Sequence, residues 1–137
     1  MNYWLAIGPV GNWEIGLKKK IWGLGPRYDK AWNLIEPGDM VFFYAMAPVK
    51  GLVGCGTVSK KKFDEKPLWP QEVSEKATLW PFRVLLHETL EIPNQDWVTS
   101  RVLIDRSGIV FQRSFQPIDE KRAQKWRNLL AKAVESK

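Results

Sequence analysis

Residues 3–8, "YWLAIG", are apolar on both alternating faces, the pattern of a strand covered on two sides. Two further runs, "MVFFYAM" at 40–46 and "LVGCGTVS" at 52–59, lie either side of "APVKG" and predict an antiparallel hairpin. In the second run Gly54 and Gly56 share one face, which is therefore bare of side chains. "FRVLLHETLEI", "WVTSRVLI" and "GIVFQRSF" supply the remaining strand candidates, with "RSG" as the turn between the last two; the middle run is short enough to be a helix instead.

Helical spacing appears at Ala31, Leu34 and Ile35 within 28–36, where "EPGD" ends the pattern. It is clearest in the last twenty residues. There Asp119 is the expected N-cap, and Ala123, Trp126, Leu129, Leu130, Ala133 and Val134 form one stripe. Asn12 is the expected cap of a weaker helix over "WEIGLKKK", which Gly16 disfavours. Between 60 and 81 the chain is charged and contains three prolines, so a long surface connection is expected, with Asp64, Glu65, Glu72 and Glu75 hydrated. Strands outnumber helices, and the helices lie near the ends. The reading is an α+β fold, a small mixed β-barrel or strongly curved sheet with flanking helices, in one domain over 1–137.

The 137 residues are 45% hydrophobic, enough for a core without metal or disulfide. Cys55 is the single cysteine, so no internal disulfide and no cysteine-based metal site is expected; no cofactor is expected either. This usage points to a reducing, cytoplasmic setting, and no apolar run is long enough for a signal peptide core or membrane span.

Known chemistry is hard to find. "GNWEIGLK" fails as a P-loop because Leu17 stands where the lysine is required, and "GLVGCG" has its glycines in the wrong order for a dinucleotide fingerprint. Cys55 and His87 could form a thiolate and base, but a small residue in mid-strand is the commoner role for such a cysteine. No catalytic constellation emerges.

Charge and tryptophan content favour binding instead. The formal net charge is +6, which attracts polyanions, and eight tryptophans exceed what a core of this size needs. Trp22 is conspicuous, set between a lysine run and "GLGP" in "LKKKIWGLGPR".

"NYWLAIG", "IWGLGPRYDKAWNLIEPGDMVFFYA", "GLVGCGTVS", "WPFRVLL" and "RSFQPIDEKRAQKW" together resemble an EVE domain over nearly the whole chain. EVE domains belong to the PUA-like superfamily and are related to YTH domains, which bind a methylated adenine of RNA in an aromatic cage. The resemblance implies a PUA-like barrel and a non-enzymatic module for a modified, methylated base in RNA or DNA. It aligns Trp22 with the tryptophan that opens the cage and Asn12 with the polar residue that reads the base edge. The second wall would come from Trp69 or Trp80, although Trp80 stands where the family often has tyrosine before proline and reads as scaffold. Trp13, Gly23, Leu24 and Pro70 complete the expected base-binding set. Lys18, Lys19, Lys20, Arg27, Lys60, Lys61, Lys62 and Arg83 are the expected phosphate contacts.

Stacking returns roughly 1–3 kcal/mol per base, enough for two walls to offset extrusion from a stack. A buried methyl adds only about 0.8 kcal/mol, so sharper discrimination would need the donors and acceptor of Asn12. Two other readings remain: an enzyme acting on RNA or nucleotides, and a protein-interaction module using exposed tryptophans.

Overall fold

The structure is a computed structural model in which residues 1–136 are described. Six strands form one mixed sheet: β1 (Tyr3–Gly8), β2 (Ile21–Leu24), β3 (Met40–Ala45), β4 (Gly51–Phe63), β5 (Phe82–Glu91) and β6 (Phe115–Ile118). Their spatial order is β2-β5-β4-β3-β1-β6. Only the β1–β3 pairing is parallel, with Tyr3 opposite Met40 and Gly8 opposite Ala45. That pairing needs a long crossover. It is supplied by α1 (Val10–Lys19), by β2 at the far edge, and by α2 (Asp29–Leu34).

The sheet curls strongly, because β2 and β1 are separated by three strands and yet touch. A Cβ on Gly8 in β1 would stand 2.5 Å from the Trp22 ring in β2. The result is a curled half-barrel, the strongly curved sheet of the two expected alternatives and not a closed barrel, with β2 and β6 left as edges. The sheet is covered on both faces: consecutive residues Phe42 and Phe43 of β3, and Leu52 and Val53 of β4, are all buried, as are Leu5 and Val58. On another side α5 (Glu120–Glu135) lays Ala123, Trp126 and Leu130 on the sheet, with the Trp126 and Phe42 rings 5.4 Å apart. Asp119 caps that helix as expected, its carboxylate accepting the Arg122 N–H at 3.0 Å. Leu129, placed on the apolar stripe by its spacing, is exposed.

Several local expectations change. Pro9, not Asn12, occupies the N-cap of α1, and its carbonyl accepts the Asn12 and Trp13 N–H groups. Asn12 therefore lies inside the first turn. Residues 97–104 begin as a short helix, α4 (Trp97–Ser100), followed by an isolated bridge from Val102 to Leu52. The run 108–115 is not a strand until Phe115. Gln116 replaces a neighbouring strand there: its side chain donates to the Val110 and Arg113 carbonyls and accepts the Val110 N–H. The charged connection is also more ordered than its composition suggests, because β4 runs on to Phe63 and α3 (Pro70–Glu75) interrupts the rest.

Candidate nucleic-acid interface

The C-terminal end of β1, the first turn of α1, β2 and the start of α3 converge around an open cavity of about 460 Å³. Three indoles line it, Trp22, Trp69 and Trp80, together with the Tyr28 ring, Asn12 and Arg27. Gly8, Gly23 and Leu24 contribute to its wall. A Cβ at position 23 would stand 2.7 Å from the Trp69 ring and 2.8 Å from the Trp80 Cβ, so glycine lets β2 pass close to both side chains.

These rings do not form two parallel walls. Trp22 and Trp69 meet edge to face, with centroids 6.0 Å apart and planes at 75°. The face-to-face partner of Trp22 is Trp13, at 3.6 Å and 9°. Trp13 is completely buried, lies under Trp22 and against Phe43, and donates its Nε1–H to the Tyr44 carbonyl at 2.8 Å. The slot between Trp22 and Trp69 implied by the cage reading is thus absent, and Trp13 supports the cavity from below without lining it. Trp80, expected to be scaffold, lines the cavity and stands at 89° to Trp69.

Polar groups at the cavity differ in whether they are used. The Trp69 Nε1–H donates to the Asn12 carbonyl at 3.1 Å, tying α3 to α1. The Asn12 side-chain amide, by contrast, makes no hydrogen bond among the described residues, nor does the Trp22 Nε1–H. Both remain available donors beside aromatic surface. Arg27 places its guanidinium 5.1 Å from the Tyr28 ring centre at the same cavity.

Glu72, expected to be hydrated, is instead fully buried and organises the aromatic wall. One carboxylate oxygen accepts the Leu68 and Trp69 N–H groups at 2.8 and 3.3 Å; the other accepts those of Leu79 and Trp80 at 2.8 and 2.9 Å. Burial pushes this carboxyl up, but the N–H donors of Trp80, Leu68, Leu79 and Trp69 outweigh it and hold it below the usual glutamate value. Arg83 completes the cluster. It is 2% exposed, donates to Glu72 and to the Trp80 and Lys66 carbonyls, and lies 5.2 Å from the Trp69 ring centre. A buried guanidinium so engaged does not reach a backbone phosphate, which removes Arg83 from the expected contacts. The sequence signal for Glu72 was present: "WPQE" puts proline at the first helical position and glutamate at the third, a helix-start signature.

The lysine runs lie outside the cavity lining. Lys18 and Lys19 are exposed in the last turn of α1, and Lys60 is exposed on β4. Lys20 is ion-paired with Glu91, Lys62 lies 3.4 Å from Asp64, and Lys61 donates to the Trp32 and Asn33 carbonyls. Pro70 opens α3 and is exposed, also outside the lining. Cys55 is buried, and burial pushes its thiol up to about 11, leaving it almost wholly protonated at neutral pH. Among the described residues no cluster of three or more potential metal ligands occurs, and no helix is long and apolar enough to cross a membrane.

No protein-family model matches the chain, and no curated protein matches it in sequence. Solved structures do match. The YTH domain of Mmi1, solved as a complex with RNA, superposes with a TM-score of 0.65 at 14% identity, over 98% of this chain and 80% of that one. The fold is YTH-like. Two bacterial proteins share this YTH-like architecture over nearly their full length. Rpa0253 from Rhodopseudomonas palustris gives a TM-score of 0.57 at 16% identity, covering 96% of this chain and 94% of that one. A mutant of the ASCH protein of Zymomonas mobilis gives 0.59 at 12% identity, covering 94% and 99%. At these identities the likeness is one of fold.

Proposed function

We propose that this YTH-like domain is a non-enzymatic member of the EVE family that binds one base of an RNA or DNA strand in the Trp22–Trp69–Trp80 cavity, with a methylated base preferred. One observation carries the reading: the unpartnered Asn12 amide faces a cavity walled by indoles and a phenol. Flat apolar surface suits a purine or pyrimidine, while an amide with donors and an acceptor suits its edge. The YTH neighbour solved with RNA supports a nucleic-acid partner, as does the net charge of +6. The raised thiol of Cys55 weighs against the rival reading of a thiolate enzyme.

The edge-to-face geometry changes how such a base is held. Trp22, backed by Trp13, offers an edge with a free N–H, and the more open Trp80 and Tyr28 rings offer stacking surface. Selectivity for a methyl group then rests on the shape of the apolar wall, and selectivity for the base on Asn12.

Fluorescence anisotropy with nine-nucleotide RNA and DNA strands, each with a central N6-methyladenine, 5-methylcytosine or unmodified base, tests this. Trp80→Ala is expected to weaken the preferred strand roughly five- to a hundredfold, the equivalent of losing one stacking contact. Asn12→Ala is expected to reduce discrimination between bases more than it reduces affinity. Equal binding of all strands by the wild-type protein and both variants overturns the proposal.

A further inference from the structure

The turn Met46–Lys50 separates the base cavity from a second, smaller one. Met46 lines the first. At the other end of the turn Lys50, whose N–H donates to the Met46 carbonyl at 3.4 Å, lines a cavity of about 240 Å³ with Tyr44, Arg101, Leu103, Ile104 and Arg106. Three of these six residues are cationic, and none is acidic.

Nor are the three cations neutralised elsewhere: none of them forms an ion pair among the described residues. Asp105, adjacent in sequence, is turned to the other side of its loop. It accepts the Ser107 N–H at 2.9 Å and lines a separate cavity with Arg122 and Lys125. Lys20, Lys62 and Arg83, by contrast, each already have a carboxylate partner.

The small cavity is also prearranged. The Arg101 stem lies across Gly51, where a Cβ would come within 2.9 Å of the arginine Cβ and Cγ. Its Nη1 donates to the Val98 carbonyl, while Nε is buried with no hydrogen-bond partner. An orphaned buried donor on a cation is costly, and an anion in the adjoining cavity would relieve it. Arg106 is held 4.2 Å from the Phe111 ring centre, and Phe111 packs on Tyr44 at 5.2 Å.

We infer that Lys50, Arg101 and Arg106 bind a backbone phosphate of the strand whose base enters the Trp22 cavity, the strand crossing the turn Met46–Lys50. This inference rests on the base-binding reading above. It moves the phosphate track from the lysine runs, which lie outside the lining of the base cavity, to a cationic cavity one turn along the chain from Met46.

The test compares the wild-type protein with Lys50→Gln/Arg106→Gln, both exposed positions, and with Lys121→Gln/Lys132→Gln on α5 as a charge-matched control. The probe is the tightest-binding nine-nucleotide strand of the panel above, titrated between 50 and 200 mM salt, and the matching free nucleoside, which has no phosphate. Each lost contact to a single strand lowers the salt slope by about 0.7, so the Lys50/Arg106 variant should lose about 1.4 and its affinity should fall about sevenfold less across that range. The control should keep the wild-type slope, and nucleoside binding should be equal in all three. Equal slopes for the two double variants, with wild-type binding intact, overturn the phosphate subsite and leave the base pocket standing. Absence of strand and nucleoside binding by the wild-type protein overturns both.

Discussion

Replacing Glu72 with glutamine is the most direct probe of how the aromatic wall is built. The change keeps size and shape but converts one carboxylate oxygen to an NH2 group. Two of the four backbone N–H donors, either Leu68 and Trp69 or Leu79 and Trp80, then face a donor instead of an acceptor. Arg83 also loses its nearest charged partner, which lies 3.3 Å away, and keeps only Asp64 at 3.6 Å. Hydrogen bonds to a charged group contribute about 1.5–3 kcal/mol each, and breaking one side of a buried pair costs about 3–5 kcal/mol. A loss of about 4 kcal/mol is therefore expected, a large part of the ~5–15 kcal/mol typical of a folded domain. Thermal unfolding followed by circular dichroism at pH 7 should show the midpoint lowered by roughly 10–20 °C. The carboxyl sits below its ordinary value of about 4.3, so the unfolded chain takes up this proton at a higher pH than the folded one. Its contribution is fully present above that value and is lost as pH falls through the depressed one. The gap between wild type and Glu72→Gln should accordingly narrow on acidification below about pH 4.3. A midpoint unchanged at pH 7, or a gap that widens in acid, refutes the assignment of Glu72 as the anchor of this loop.

Two further outcomes concern packing and reactivity. Gly23→Ala places a methyl within 2.7–2.8 Å of Trp69 and Trp80; overpacking of this kind costs about 1–3 kcal/mol, seen as a lower urea midpoint, and intrinsic fluorescence should change because both indoles must shift. Cys55, buried and with its thiol raised to about 11, should resist a thiol-specific disulfide reagent at pH 8 and react fast only when the protein is denatured.

Much of the architecture was legible because it depends on short-range pattern. β1, the β3–β4 hairpin, β5 and α5 each carry enough contiguous apolar residues, or a cap with a stripe, to reveal themselves. The run 108–115 misled for a definable reason: its alternation resembles a strand, but the Gln116 side chain takes the backbone groups that a strand would have offered to a neighbour. "WPQE" could have identified α3, yet only the fold brings 68–69 and 79–80 to the same carboxylate.

The site divides along the same line. Sequence by itself determined a basic, tryptophan-rich chain, and the family resemblance, not residue order alone, set Trp69 or Trp80 opposite Trp22. Tertiary structure alone decided which indole faces which. The curl of the sheet brings Gly8 against Trp22, and Trp13 from α1 fills the stacking position that the cage reading reserved for a base. Cation partnering was likewise decided in three dimensions: Arg83 is spent on Glu72, while Lys50, distant in sequence from Arg101 and Arg106, joins them without a counter-charge. Charge and ring type are properties of single residues, whereas stacking, burial and ion pairing are properties of pairs, and the chain's folding is what chooses the pairs.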